Sequence, residues 1–196
     1  MKQSAYILFG RSGCGKGTQA ALLQQKLEAE GKKVIYIETG NLLRAFSGTD
    51  SYTSKRAKQV LETGELMPEF LPIYTWAGKL VASVQGDESF IFDGVSRRIH
   101  EAPIIETMLG FYDRLPAHII YVDVSRTWSS DRLRERMRAD DTDASIDARQ
   151  DWFESSVLPA LEYFKSNPNF VFHTISGEQS IELVHGDILK SLDLQA

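Results

Sequence analysis

At 196 residues and a formal net charge of −5, the chain can bury one full hydrophobic core and carries no basic excess to attract nucleic acid or an anionic membrane. Its apolar share of 42% and charged share of 25% are those of an ordinary globular domain. The single cysteine, Cys14, excludes an internal disulfide or a cysteine metal cluster, and the apolar run in MKQSAYILFG is too short for a signal peptide or a membrane span, so the expected location is cytoplasmic.

Taken in chain order, AYILF (Ala5–Phe9) is a short apolar run stopped by glycine and predicts a buried strand. From Lys16 to Glu30, Ala20, Leu23 and Leu27 recur at helical spacing until Gly31 ends the helix. VIYI (Val34–Ile37) predicts a second strand, and ETGN opens a helix carrying Leu42 and Leu43. The stretch Thr53–Val84 is helical except at TGELMPE, where Gly64 and Pro68 mark breaks. Further strands are predicted at Phe90–Asp93, His118–Val124 and Phe170–Ile175, and helices at Ile99–Gly110, Ser129–Arg138, Asp143–Phe164 and Ser180–Leu192. Apolar strands alternating with helices predict an α/β domain: a five-stranded parallel sheet covered by helices on both faces. Two stretches exceed a minimal alternation, the strand-free residues 38–89 and the polar ADDTDAS between two helices, and both are expected to form movable flaps over a site.

The chemistry begins at GRSGCGKGTQ (Gly10–Gln19), between the first predicted strand and the first predicted helix. Glycines let backbone N–H groups converge on phosphate oxygens, the helix N-terminus adds unpaired N–H groups, and Lys16 supplies a positive charge. Gly10-x-x-x-x-Gly15-Lys16 therefore reads as a phosphate-binding loop, with the backbone of Gly13, Cys14, Gly15, Lys16, Gly17 and Thr18 around the phosphates of ATP. The usual pattern has Ser or Thr directly after the lysine; here Gly17 stands there and Thr18 follows. Six of the twelve arginines fall between Arg126 and Arg149, with no lysine among them, and guanidinium forks suit phosphate oxygens. The six acids in that span (Asp131, Glu135, Asp140, Asp141, Asp143 and Asp147) are also compatible with a balanced, solvated face, to which Arg126 and Arg134 are assigned.

GKGTQ resembles the phosphate loop of the adenylate kinase family of nucleoside monophosphate kinases, and further segments resemble that family in order along nearly the whole chain. Thr39-Gly40-Asn41-Leu42-Leu43-Arg44 matches its T-G-D-L-L-R except at Asn41. Asp93-Gly94-Val95-Ser96-Arg97 matches D-G-[FYI]-P-R except at Val95 and Ser96. RMRADDT followed by IDAR resembles its lid, in a short form without a four-cysteine metal site, and Ile175-Ser176-Gly177 weakly resembles its I-x-G segment beside the ATP base.

The resemblance implies a P-loop kinase fold with a helical acceptor-binding flap at about 39–70 and a short lid at about 136–146, one domain over 1–196, and small-molecule nucleotides as partners, without nucleic acid or membrane, with ATP as donor and Mg²⁺ as cofactor. It implies that Thr18 and Asp93 organise Mg²⁺ through water, that Arg44 and Arg97 hold the acceptor phosphate, and that Thr39, Gly40, Met67 and Gly94 line the acceptor site. Arg132, Arg138 and Arg149 would stabilise the transferring group, Arg136 would support the ATP side, and Asp140 and Asp141 would pair with arginines as the lid closes. A monomer is expected.

The acceptor base is where the chain departs. Glu101 stands where adenylate kinases carry Gln, and an ionised carboxylate only accepts hydrogen bonds. Adenine offers one donor and one acceptor on the edge that Gln reads, whereas guanine offers two donors. The resemblance favours AMP, and three readings stay open: a protonated or averted Glu101 with adenine read by backbone near Met67, a different base (GMP, CMP or UMP), or a shift of register caused by Val95 and Ser96. Three other readings are a P-loop GTPase, for which no N-K-x-D motif is present, a non-catalytic nucleotide-binding module, which intact Lys16, Asp93, Arg44 and Arg97 argue against, and a kinase for a non-nucleotide acceptor. Cys14, beside Lys16 and a helix N-terminus, is in a setting that lowers a thiol pKa, but the preferred reading is simply a small residue at a variable loop position.

Overall fold

The computed structural model describes residues 3–136, 138 and 141–195. Its elements in chain order are β1 (Ala5–Phe9), α1 (Lys16–Ala29), β2 (Lys33–Glu38), α2 (Thr39–Ser47), α3 (Tyr52–Thr63), α4 (Phe70–Ser83), β3 (Glu88–Asp93), α5 (Ala102–Phe111), β4 (Ala117–Asp123), α6 (Arg126–Arg136), α7 (Asp143–Trp152), α8 (Leu158–Ser166), β5 (Phe170–Ser176) and α9 (Ile181–Ser191). The five strands form one parallel sheet in the order β2-β3-β1-β4-β5.

Strand periodicity divides the apolar runs between two cores. Ile7, Phe9, Phe90, Phe92 and Ile119 pack with Trp76, Leu80, Ile105, Leu109, Leu161 and Phe164 from α4, α5 and α8. On the opposite face Tyr6, Leu8, Ile91, Ile120 and Val122 pack with Ala20, Leu23 and Leu27 of α1 and Val184 and Ile188 of α9. β1 and β3 are buried at every position, as a parallel strand covered on both faces should be. The edge strands β2 and β5 are only partly covered, which is why Val171 is exposed within an apolar run. A third, small cluster of Leu43, Ala57, Met67 and Leu71 ties α2, α3 and the start of α4 together.

Three predicted helices differ in detail. The expected helix Asp143–Phe164 is α7 and α8 separated by a π-helical turn, Phe153–Val157. Pro159, which has no N–H, enters α8 there, and Arg11 stacks 4.7 Å over Phe153. The segment predicted to be helical from Ile99 begins with a 3-10 turn, Ile99–Glu101, before α5. α6 begins at Arg126 and ends at Arg136, leaving Arg138 beyond it. Among the described residues, no helix is long and apolar enough to cross a membrane.

The register fixes where function can sit. Leu8 pairs with Asp93, and Asp93 with Glu38, so the carboxyl ends of the three adjacent strands β1, β2 and β3 lie level. In parallel α/β sheets, ligands bind beyond such ends.

Candidate active site

The glycine loop leaves β1 and enters α1 through Gly15, whose φ of 90° is a left-handed conformation that glycine takes without a Cβ penalty. The side of the loop at Gly13 rests on α6: a Cβ there would lie 3.0 Å from Leu133 Cγ, and Ser129 Oγ donates to the Ser12 carbonyl at 2.5 Å. The Cys14 backbone N–H donates to the Arg11 carbonyl (3.1 Å), and Lys16 Nζ donates to the same oxygen at 3.3 Å. The Cys14 thiol points into the core with Leu8, Leu23 and Val122. Burial pushes that thiol's pKa up despite nearby Lys16, correcting the expectation of a lowered one.

Asp93, at the end of β3, is buried against this loop. Its Oδ2 would lie 3.4 Å from a Cβ at Gly17, so Gly17 is the loop residue facing it, while Thr18 is exposed one position on. Burial raises the Asp93 pKa, and Lys16 opposes the shift. Among the described residues, no group of three or more His, Cys, Asp and Glu side chains converges as a metal cage. A single carboxylate facing a phosphate loop fits Mg²⁺, which keeps several waters and takes its remaining ligands from phosphates.

The acceptor-side arginines each lie over a glycine. Arg44 Nη1 is 3.3 Å from where a Cβ of Gly40 would be, and Arg97 Nη2 is 3.0 Å from the corresponding point on Gly94. Any larger residue at these positions would displace a guanidinium. Arg44 donates to Glu38 Oε1 at 3.2 Å and to Asn41 Oδ1, while Asn41 Nδ2 donates to Glu38 Oε2 at 2.5 Å. Glu38 and Asn41 are thus positioning partners of Arg44 that the sequence did not single out; the acid ending β2 beside an arginine one helical turn and a half later was the available signal. The Arg97 guanidinium lies 5.3 Å over the Trp152 ring.

Two recesses meet at Arg97. One is lined by Gly10, Ser12, Lys16, Gly94, Arg97 and Trp152 of the phosphate-loop side. The other is lined by Thr39, Leu43, Leu66, Met67, Pro72, Gly94, Arg97 and Glu101. Gly94 and Arg97 belong to both. In the second recess the hydroxyl of Thr39 is buried without a hydrogen-bond partner, and Glu101 Oε2 accepts the Arg97 backbone N–H at 3.3 Å. Burial raises the Glu101 pKa. Arg98, also not foreseen, donates to the carbonyls of Met67 (2.7 Å) and Leu66 (3.3 Å) and so fastens the recess wall. Ser96 adopts φ 52°, which a proline ring cannot reach, so this turn departs locally from the D-G-[FYI]-P-R pattern while Arg97 still reaches the junction.

Three of the remaining arginines, Arg136, Arg138 and Arg149, gather on Asp141, whose carboxyl is fully buried. Arg136 donates to both of its oxygens (2.9 and 2.8 Å), Arg149 to Oδ1 at 2.7 Å, and the Arg138 backbone N–H to Oδ2 at 3.3 Å. Burial alone would raise the Asp141 pKa, but the arginine bonds outweigh it and hold it below the ordinary value. Asp140, the other acid assigned to this pairing, lies outside the described residues. Arg132 is not in the group: it lies 5.0 Å over Trp128 and 3.9 Å from Glu135. Gly177 packs against Val122 and Val124 and donates its N–H to the Asp123 carbonyl (2.8 Å), which accounts for a glycine there without a ligand. Arg126 and Arg134 pair with surface acids, Asp151 and Asp143 among them.

A phosphate loop, a buried strand-end carboxylate and an arginine shared by two adjoining recesses define a P-loop enzyme that moves a phosphoryl group between two nucleotides. The adenylate kinase family model matches residues 8–169. Proteins named adenylate kinase are similar over most of their length: 32% identical in Corynebacterium diphtheriae (95% of this chain, 97% of that one), 31% in Thermosynechococcus vestitus (91% of each) and 29% in Corynebacterium aurimucosum (95% and 98%). The chain belongs to the adenylate kinase family and is an ATP:nucleoside monophosphate phosphotransferase.

Proposed function

We propose that the acceptor is AMP, so that the enzyme reversibly converts ATP and AMP into two molecules of ADP. The observation that carries this is Arg97 lining both recesses: a group there touches the acceptor phosphate and the phosphoryl group approaching it. The similarity to adenylate kinases supports AMP among the monophosphates.

Phosphoryl transfer needs in-line positioning, charge neutralisation and exclusion of water more than covalent chemistry. The Gly13–Thr18 backbone and Lys16 hold the donor's β- and γ-phosphates. Arg44, braced by Glu38 and Asn41, and Arg97, stacked on Trp152, fix the acceptor phosphate as nucleophile. Asp93 and Thr18 would hold Mg²⁺ through water, and the bound ion would supply neutralising positive charge at the donor phosphates. Arg149 and Arg138 reach the transferring group as the lid, residues 136–146, closes; Asp141 keeps Arg136 and Arg149 aligned until then. Arg132 and Arg136 serve the donor side, and the flap, residues 39–70, encloses the acceptor.

The test is a panel in which ATP and Mg²⁺ are offered with AMP, dAMP, GMP, CMP or UMP. AMP is expected to give the highest kcat/KM. A preference for another monophosphate would replace the acceptor and leave the reaction class in place.

A further inference from the structure

We propose that Glu101 selects the acceptor base through its protonation state, reading adenine as a neutral acid whose O–H donates to the ring nitrogen and whose carbonyl accepts from the exocyclic amine. This rests on the reading of the recess beside Arg97 as the acceptor-base site.

Geometry makes Glu101 the available reader. It is 3% exposed, in the 3-10 turn that follows Arg97, and lines the recess with Thr39, Met67 and Pro72. An averted side chain is therefore not what this chain has. The carbonyls of Leu66 and Met67, the backbone alternative for holding adenine, are already engaged by Arg98. One carboxyl oxygen of Glu101 accepts the Arg97 N–H, as a carbonyl oxygen can in either protonation state. Among the described residues the other oxygen has no hydrogen-bond partner, and as an O–H it would supply the donor that glutamine supplies in relatives.

The surroundings shift Glu101 towards the neutral form. Burial is the largest influence and disfavours charge; Glu69, at the entry to α4, adds a like charge but is itself shared with Arg98 (3.9 Å) and His100 (3.5 Å). Arg97 and Arg98 oppose the shift without reversing it. The charged groups of the neighbouring helices are otherwise committed: Glu106 of α5 accepts from Asn167 and Asn169, Glu162 and Lys165 of α8 face each other at 3.9 Å, and Arg44 of α2 is on Glu38. The raised carboxyl keeps its proton to higher pH than a surface glutamate, so adenine is read on the acid side. Once ionised, Glu101 opposes the adenine ring nitrogen with a second acceptor and instead matches the two adjacent donors of guanine.

The experiment compares wild type with Glu101→Gln, measuring KM and kcat separately for AMP and GMP from acid to alkaline pH across the range in which both enzymes stay folded. The acceptor phosphate titrates alike in both enzymes and cancels in the ratio. The wild-type KM for AMP should rise relative to that of Glu101→Gln by about tenfold or more across this range, the size of one unpaired buried polar group. The wild-type KM for GMP should fall in the same comparison. Parallel AMP profiles would overturn the inference and leave AMP as acceptor intact. Absence of transfer to AMP by either enzyme at any pH would overturn the acceptor reading as well. Should Glu101→Gln fail to fold, calorimetry of AMP binding to wild type at alkaline pH in two buffers of different ionisation enthalpy decides: a carboxyl ionised in the free enzyme and neutral against adenine must take up a proton on binding, and no uptake would overturn the inference.

Discussion

In the proposed mechanism Arg97 meets two demands at once, closeness to the acceptor phosphate and closeness to the phosphate loop. Its guanidinium satisfies both by lying over Gly94 and against Trp152. Lys16→Met removes charge from the donor side only, and Arg97→Ala from the junction. Each should lower kcat by about 10²–10³, the usual loss for one preorganised electrostatic group, and steady-state kinetics would check it. Arg97→Ala should also weaken AMP binding, which Lys16→Met should not. Much of this was legible in the residues themselves. The order Gly15-Lys16, Arg44, Asp93 and Arg97 marks the phosphate chemistry because each is a residue type with a fixed phosphate or metal task. Their supports were not legible. Glu38, Asn41, Arg98 and Trp152 are ordinary in sequence, and only the fold shows which guanidinium or carbonyl each one holds. Cys14 shows the converse: its neighbours in sequence suggested a reactive thiol, while the direction of its side chain buries it.

The end of α3 packs against α7 at Gly64. Gly64, with φ 74°, ends α3, and a Cβ there would come within 2.7 Å of the Ser145 backbone; Trp152 Nε1 donates to its carbonyl at 3.0 Å. Gly64→Ala adds a left-handed penalty of about 1–2 kcal/mol as well as the clash. On the reading of residues 39–70 as a movable flap, much of that cost should appear as weaker closure: the KM for AMP rises about tenfold, equivalent to 1.4 kcal/mol, with the KM for ATP little changed. Trp152→Phe, which keeps a ring under Arg97 but leaves the Gly64 carbonyl unpaired, should cost about 1 kcal/mol. Kinetics and thermal melts of the two variants separate these effects. Sequence marked Gly64 as a helix break, and the structure adds that the break is also a docking point. The helix predicted over Asp143–Phe164 is longer than either α7 or α8 for the same kind of reason: periodicity continues through the π-helical turn, where a missing proline N–H and the stacked Arg11 decide the backbone instead.

Across the whole molecule, the sheet itself responds to pH away from the site. His118 on β4 stacks between Tyr6 and His173, with His118 Nδ1 3.1 Å from His173 Nε2. Burial, then the neighbouring imidazole, lowers the His118 pKa from 6.5 to about 4, with Asp193 opposing weakly; the His173 pKa is also lowered by burial. The folded state therefore holds the neutral pair while the unfolded chain takes up protons first. Stability from this pair is complete above the unfolded value and is lost as pH falls from 6.5 towards 4. The melting temperature of wild type should fall over that interval more steeply than that of His118→Phe, which keeps the stacking ring; about 2–4 °C accompanies each kcal/mol in a chain of this size. Coincident curves would assign the pair no role.

The central claim is that this architecture delivers the terminal phosphoryl group of ATP to AMP and withholds it from water. Phosphorus NMR of the enzyme with ATP, AMP and Mg²⁺, following ADP and inorganic phosphate together, tests it most directly. The account predicts that each ATP consumed yields two ADP, with negligible phosphate released. Loss of ATP matched by phosphate, with AMP unconsumed, would contradict it.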